Sequence, residues 1–202
     1  MQISPKYIGL SEYPQSLHLQ NEYMAQVKGR DELILLGFEY NSVITLGKRG
    51  NEADDLLNLN KNSEVFKIER GGQATLHNLG QLVIYPIYDL RANGKGVRDF
   101  ILFLNHAHEK TLQQLGIKAE YHEAEGGVMT LKGKMSFTGL RIDQGISSHG
   151  LSVNINNELN DFSQIRACGR EKARLDRVKD YNVQIELPEY FETYQHFLKH
   201  EM

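Results

Sequence analysis

Cys168 is the only cysteine in the 202-residue chain, and its side chain is well suited to covalent chemistry. It lies in FSQIRACGREKARLDRV (162–178), between Ala167 and Gly169. A lone cysteine is most often a small buried hydrophobic residue. Here no apolar periodicity surrounds it, and the glycine opens the backbone beside the sulfur, which favours a reactive thiol on a loop. Local spacing alone leaves both interpretations open.

Lys134 is the cation that could activate such a thiol. It follows the predicted hairpin turn at the start of KGKMSFTGLRI (132–142). A lysine there is usually a solvated edge residue that discourages strand aggregation. A cation close to a thiol instead stabilises the thiolate and lowers the pKa of the cysteine.

Two glycine-containing stretches could bind a ligand. In RGGQATLH (70–77), adjacent glycines let the backbone approach a ligand and offer N–H groups to an oxygen, although a tight turn explains them equally well. In SSHGLSVNIN (147–156), His149 could orient a catalytic group, but a hydrogen bond to a backbone carbonyl is its commoner role.

The composition excludes several classes of function. The formal net charge of −3 gives no broad basic field for nucleic acid or a membrane surface. No apolar stretch approaches the roughly 18 residues of a transmembrane helix, and the polar N-terminus MQISPKYIGLSEYP lacks a signal-peptide core. These features predict a cytoplasmic protein, and the length predicts one domain over residues 1–202.

Metal and nucleotide sites are not predicted. One cysteine cannot form an internal disulfide or a multi-thiolate zinc site. His106 and His108 diverge on a predicted helix and are expected at its surface or boundary, and His196 and His200 lack a third ligand. The spacing around KGKMS does not satisfy the phosphate-loop pattern, because Met135 stands where a hydroxyl is required.

Strands and helices are interspersed without a regular βαβα series, which predicts an α+β fold with helices packed on a sheet. Pro86 is expected at the end of its strand or on an edge strand. Gly116 is expected to end the central helix. The patterns predict helices over 12–28, 97–115 and 187–200, a hairpin over 126–134, and strands over 32–40, 41–47, 64–69, 81–90, 118–122, 135–142 and 147–156.

Taken in order, several segments resemble the lipoyl(octanoyl) transferases of the biotin/lipoate protein ligase superfamily. The resemblance runs from about Thr45 to Val178. It implies a mixed β-sheet flanked by helices. The matching segments are TLGKRG (45–50), RGGQATLH (70–77), Gly-Gln at 80–81, YPIYDL (85–90), KGKMSFTGLRI (132–142), SSHGLSVNIN (147–156) and Cys-Gly at 168–169.

The resemblance implies transfer of an octanoyl group from acyl carrier protein to a lysine of lipoyl domains. Such acceptors are the E2 subunits of 2-oxoacid dehydrogenases and the glycine cleavage H protein. Cys168 would be the nucleophile, Lys134 would activate it, and no metal or diffusible cofactor is implied. The implied substrate-binding residues are Arg70, Gly71, Gly72, Gln73, Ala74, Thr75, Leu76, His77, Phe137, Thr138, Gly139, His149, Gly150, Leu151 and Ser152.

The chain departs from the family pattern beside these positions. His77-Asn78-Leu79-Gly80-Gln81 replaces the usual His-Gly-Pro-Gly-Gln, which is expected to alter the acyl-binding loop. Ala167 replaces a proline, and ARLDRV (173–178) lies where a Thr-Ser pair is common.

Two other functions stay open at this point. One is an ATP-dependent lipoate or biotin ligase of the same fold. The other is a non-enzymatic module that binds an acyl group or a carrier protein.

Overall fold

The computed structural model describes residues 1–167 and 173–201, and it has the predicted mixture of strands and helices. The helix predicted to end at Gly116 does so, and this glycine adopts a left-handed φ of 75°. The strands are β1 Gln2–Leu10, β2 Glu32–Glu39, β3 Ser42–Leu46, β4 Glu64–Lys67, β5 Ala74–Asn78, β6 Gln81–Ile87, β7 Glu120–His122, β8 Gly127–Met129, β9 Ser136–Asp143 and β10 Ile146–Asn154; the α-helices are α1 Tyr13–Val27, α2 Glu52–Asp55, α3 Val97–Gln114 and α4 Leu187–His200.

The main sheet has the strand order β1-β2-β6-β10-β9. Only β1 and β2 are parallel; the other neighbours are antiparallel. Pro86 is the next-to-last residue of β6, so its expected place at a strand end is confirmed. The alternative of an edge strand is wrong, because β6 is the middle strand. Proline has no N–H to donate, and this is tolerated near the end of β6, where the hydrogen bonds to the neighbouring strands end.

A second sheet, β4-β3-β5, contains the end of RGGQATLH (70–77), one of the two stretches predicted to bind a ligand. Only part of RGGQATLH is a loop, because Ala74–Asn78 form β5 and pair with β3. The loop is therefore confined to residues 70–73, which include the two adjacent glycines. A short hairpin, β7-β8, completes the sheets of the described residues.

The two faces of the main sheet bury different sets of side chains. Alternate residues of β6 point to opposite faces, as the period of a strand requires. Leu82 and Ile84 pack with side chains of α3 and α4. Val83 and Tyr85 pack with Tyr13 at the start of α1 and with residues of β2 and β3. No helix of the described residues is long and apolar enough to cross a membrane.

His108 corrects the expectation of a surface or boundary histidine. His106 is exposed, but His108 is fully buried, and its Nδ1 lies 2.8 Å from the Tyr190 hydroxyl of α4. Burial lowers the pKa of the His108 imidazole to about 3. The ring is therefore a neutral part of the contact between the two helices.

We expect His108 to make the protein less stable as the pH falls. An unfolded histidine has a pKa near 6.5, so between about pH 6 and pH 4 the unfolded chain binds a proton that folded His108 does not. This one residue should lower the free energy of unfolding by about 1.4 kcal/mol per pH unit in that window. Urea denaturation of wild type and His108→Gln at several pH values measures the difference in slope. The exposed control His106→Gln should keep the wild-type slope, and an equal slope in His108→Gln would contradict the expectation.

Candidate active site

A cavity of about 310 Å³ lies between β6, β9 and β10 of the main sheet and the segment that leads into β5. Lys134 lines this cavity together with most of the residues predicted to bind substrate. Stretches separated by more than fifty positions in the sequence thus meet at one site. The predicted residues in its wall are Arg70, Gly71, Gly72, Gln73, Ala74, Thr75, His77, Phe137, Thr138, Gly139, His149, Gly150, Leu151 and Ser152.

Leu76 is the predicted substrate-binding residue that does not line the cavity. It is fully buried in an apolar cluster with Ile44 and Phe162. Its neighbours on β5, Thr75 and His77, do line the cavity. The alternation of side chains along a strand explains this placement, because Leu76 points to the opposite face.

Arg70 shapes the loop that follows it. Its Nε and Nη2 donate to the Thr45 hydroxyl, and Nη2 also donates to the Thr45 carbonyl at 2.7 Å. Further bonds reach the carbonyls of Gly71 and Gln73, at 2.8 and 2.7 Å. The guanidinium thus ties its own loop to the end of β3. A planar fork of donors is suited to such a task, and a lysine could not replace it.

The backbone of the same loop is fixed from the other side by the segment after β3. The N–H groups of Gly47, Lys48 and Arg49 donate to the carbonyls of residues 73, 70 and 72, at 3.0 to 3.1 Å. A Cβ at Gly47 would lie only 2.5 Å from the Gly72 carbonyl. The motifs TLGKRG and RGGQATLH are therefore joined by backbone hydrogen bonds. The close approach of the two segments requires glycine at position 47.

His77 is held in one orientation by a chain of amides. Its Nδ1 lies 2.7 Å from Gln81 Oε1, the Gln81 amide donates to Asn154 Oδ1 at 2.9 Å, and the Asn154 amide donates to the Asp176 carbonyl at 3.1 Å. With this amide orientation, Nδ1 carries the proton and Nε2 is an acceptor. Burial lowers the pKa of His77 to about 4, so the ring is neutral near pH 7.

His149 lies in β10 with a left-handed φ of 53°, which is unusual for a residue with a Cβ. Its N–H donates to Gln20 Oε1 at 2.7 Å, and its ring packs edge-on against Tyr85. Burial, followed by the repulsion of the Arg70 guanidinium, lowers the pKa of His149 to about 4. The left-handed backbone of His149 and its hydrogen bond to Gln20 of α1 together place a neutral imidazole in the cavity wall.

Lys134 is only 4% exposed, unlike the solvated edge lysine that hairpins usually carry. It follows a tight turn in which the Thr130 N–H donates to the Gly133 carbonyl, as the hairpin prediction requires. Its Nζ donates to the Glu125 carbonyl and lies 4.6 Å from the centre of the Phe137 ring. A Cβ at Gly127 would lie 1.9 Å from the Ser136 carbonyl oxygen and 3.0 Å from the lysine Cε, so position 127 requires glycine.

Cys168 and Gly169 lie outside the described residues, but both flanks of the segment 168–172 are described. On the upstream side, the Arg166 N–H donates to the Asp55 carbonyl at 2.9 Å. Ala167, which replaces the family's proline, is buried in the cluster that contains Phe137. On the downstream side, the Lys134 N–H donates to the Arg174 carbonyl at 2.8 Å. The downstream flank is therefore bonded to Lys134 of the cavity wall, and the upstream flank shares an apolar cluster with Phe137 of that wall.

The backbone N–H groups differ in whether they can bind an oxyanion. Those of Gly71 and Thr138 already donate, to the carbonyls of Leu140 and Gly126, at 3.0 and 2.7 Å. These two N–H groups are therefore not available to an oxyanion. Gly72, with a left-handed φ of 89°, has an N–H that donates to no acceptor among residues 1–167 and 173–201. It is the better candidate of the Gly71-Gly72 pair.

The Asn78-Leu79 departure lies at the turn between β5 and β6 and outside the cavity wall. Leu79 is 52% exposed. The Asn78 amide donates to the Glu158 carbonyl at 2.9 Å and to Asp161 Oδ2 at 2.8 Å. These bonds fix the turn without a proline and leave His77 and Gln81 on the two strands. The departure therefore changes the turn and leaves the cavity wall in place.

Several lining residues were not named as substrate-binding from the sequence. Thr45 and Arg49 belong to TLGKRG, a segment that carries the family resemblance but no binding signal of its own. Tyr13 and Ile68 reach the cavity from distant segments, and no local pattern marks them. The additional lining residues are Tyr13, Thr45, Arg49, Ile68, Val83, Tyr85, Glu123, Ala124, Glu125 and Gly126.

The fold matches solved lipoate-protein ligases. A crystal structure of lipoate-protein ligase A bound with ATP aligns with a TM-score of 0.84 at 15% identity, covering 100% of this chain and 85% of that one. A putative lipoate protein ligase from Thermoplasma acidophilum with bound lipoic acid gives 0.78 at 16% identity, covering 100% and 86%. At these identities the likeness shows the fold, which confirms the predicted ligase-type α+β domain.

Sequence comparisons identify the family. The model of the lipoyl protein ligase A/B catalytic domain matches residues 12–195. An octanoyltransferase of Pseudomonas syringae pv. syringae is 35% identical over 185 residues, which cover 90% of this chain and 83% of that protein. One from Persephonella marina is 33% identical over 164 residues, covering 80% and 79%. The chain therefore belongs to the lipoyl protein ligase A/B catalytic-domain family, among its octanoyltransferases.

Proposed function

We propose that this protein transfers an octanoyl group from octanoyl-acyl carrier protein to a lysine of a lipoyl domain, through a thioester on Cys168. The observation that carries the proposal is the cavity that Lys134 lines, together with the backbone hydrogen bond that joins Lys134 to Arg174, just downstream of the cysteine segment. The relatives named octanoyltransferases support the group transferred. The whole chain would act as one catalytic domain.

The first chemical step forms the acyl-enzyme. The Cys168 thiolate attacks the thioester carbonyl, the carbon–sulfur bond to the carrier's pantetheine breaks, and the released sulfur takes a proton. A free thiol is only a few per cent ionised near neutral pH and needs activation. The ammonium of Lys134, desolvated in the cavity wall, supplies the positive charge that favours the thiolate.

The second step forms an amide and releases the enzyme. The acceptor lysine loses a proton and attacks the acyl-enzyme carbonyl, and the carbon–sulfur bond to Cys168 breaks. Lys134 passes protons in both steps. Each tetrahedral intermediate carries an oxyanion, for which the Gly72 N–H is a candidate donor; one such donor is typically worth about 3–4 kcal/mol.

The cavity wall would hold the octanoyl chain. Ile68, Val83 and Phe137 offer apolar surface there, while Arg70 keeps the glycine loop in shape. The acceptors would be lipoyl domains of 2-oxoacid dehydrogenase E2 subunits and the glycine cleavage H protein, and the reaction would take place in the cytoplasm. The thioester supplies the energy, so the mechanism needs no metal or diffusible cofactor.

We expect transfer to depend on the acyl thioester and not on ATP. The purified chain is mixed with a lipoyl domain and either octanoyl-carrier protein without ATP or free octanoate with ATP and Mg²⁺, and the domain is weighed by mass spectrometry. Octanoylation from the carrier alone supports the proposal. Modification only with free octanoate and ATP would show a ligase, and binding of carrier without transfer would show a non-enzymatic module.

A further inference from the structure

Asp176 belongs to ARLDRV, the stretch that replaces the family's usual Thr-Ser pair. Its side chain is 2% exposed. Its Oδ2 accepts hydrogen bonds from the hydroxyls of Thr130 and Tyr181, the latter at 2.6 Å, and its Oδ1 accepts from the Arg177 N–H at 2.9 Å. A carboxylate has the lone pairs for three such bonds, so this buried charge is well satisfied.

The three donors come from two separate pieces of chain. Thr130 lies in the turn that precedes Lys134, whereas Arg177 and Tyr181 follow the cysteine segment. The backbone joins the same two pieces, since the Lys134 N–H donates to the Arg174 carbonyl at 2.8 Å and the Asp176 N–H donates to the Lys134 carbonyl at 3.0 Å. The two pieces are also in close contact, because a Cβ at Gly133 would lie 2.7 Å from the Arg174 and Leu175 backbone.

We propose that Asp176 is a positioning residue, whose carboxylate fixes Lys134 relative to the downstream flank of the cysteine segment. The chain from Ala173 to Asp176 leads directly out of residues 168–172. A shift in the backbone pairing of Lys134 with Arg174 and Asp176 would move the lysine ammonium relative to this flank. The inference rests on the proposed function, because it assumes that Lys134 and Cys168 act as a pair.

The amide chain described above ends on the same residue. The Asn154 side chain donates to the Asp176 carbonyl and connects through Gln81 to His77 in the cavity wall. The backbone of Asp176 is thus one end of a hydrogen-bond network whose other end, His77, lies in the cavity wall. This gives the residue a role in the geometry of the site as well as in the stability of the hairpin.

The test replaces Asp176 with asparagine, which keeps the shape but loses a charged acceptor. Because Cys168 is the only thiol, its alkylation by iodoacetamide as a function of pH reports on this residue alone. We expect the alkylation midpoint to rise toward that of a free thiol. We also expect kcat for transfer to fall about tenfold, as for one lost hydrogen bond to a charged group, with KM for octanoyl-carrier protein little changed.

Asp180→Asn is the matched control. It removes a carboxylate of the same sign from the same loop, where Asp180 pairs with the Arg177 guanidinium at 3.0 Å and is partly exposed. The control should keep the wild-type midpoint and kcat. The charged residues that line the cavity with Lys134, namely Arg49, Arg70, Glu123 and Glu125, are unchanged in both variants.

If Asp176→Asn does not fold, the variants Tyr181→Phe and Thr130→Val test the same inference. Each removes one donor to the same carboxylate, and each should raise the midpoint in the same direction by a smaller amount. The inference is overturned if folded variants keep the wild-type midpoint, whether or not kcat falls. An absent acyl-enzyme in the wild type would instead overturn the proposed function, because the alkylation comparison needs no acyl donor.

Discussion

Cys168→Ser is expected to lower the rate of octanoyl transfer by a factor on the order of 10³ or more. Removing the nucleophile of a covalent enzyme costs up to about 10⁶ in kcat. A serine hydroxyl is nearly the same size, but a lysine cation does not ionise it near neutral pH. Transfer from octanoyl-carrier protein to a lipoyl domain, followed by mass spectrometry, measures the loss.

The comparison is valid only if the serine variant is folded. Its urea unfolding curve should match that of the wild type, because the substitution changes one atom. A folded serine variant that transfers octanoate at the wild-type rate would exclude Cys168 as the nucleophile.

Lys134→Met is expected to lower kcat by about 10² to 10⁴, the range typical of a lost general acid or base. Methionine fills similar space beside Phe137 but carries no charge, so the thiolate loses its cation. The pH midpoint for alkylation of Cys168 should therefore rise. Alkylation kinetics over a pH series, together with steady-state transfer rates, measure both effects.

Lys132→Met is the control for this variant, since it changes the same residue type two positions upstream. The Lys132 ammonium lies 3.9 Å from the centre of the Tyr181 ring and donates to the Asp180 carbonyl on the protein surface. It should keep the wild-type rate and midpoint. An unchanged alkylation profile in Lys134→Met would remove the lysine from the activating role.

The elements that could be predicted are those with a strong local pattern. The apolar repeat of α3 and the Gly116 that follows it predict the helix, and the continuous apolar run before Pro86 predicts β6. β1 was not predicted, because this edge strand is largely exposed and contains Ser4-Pro5 instead of an apolar alternation. Its pairing with β2 is parallel and depends on tertiary contact, which local sequence does not encode.

The candidate site was predictable where its residues lie in compact motifs. Arg70 to Thr75 and Phe137 to Gly139 were named from such motifs and lie together in the cavity wall. Tyr13 was missed because it reaches the site from a helix more than fifty positions away. Asp176 was missed for a similar reason, since its partners Thr130 and Tyr181 are brought to it only by the fold.

Intact-mass analysis of the enzyme after mixing with octanoyl-carrier protein, in the absence of an acceptor, shows whether a thioester forms on Cys168. We expect the wild type to gain one octanoyl group, hydroxylamine to remove it, and Cys168→Ser to gain none. Transfer by the wild type without any adduct, together with full activity of the serine variant, would contradict a thioester on Cys168.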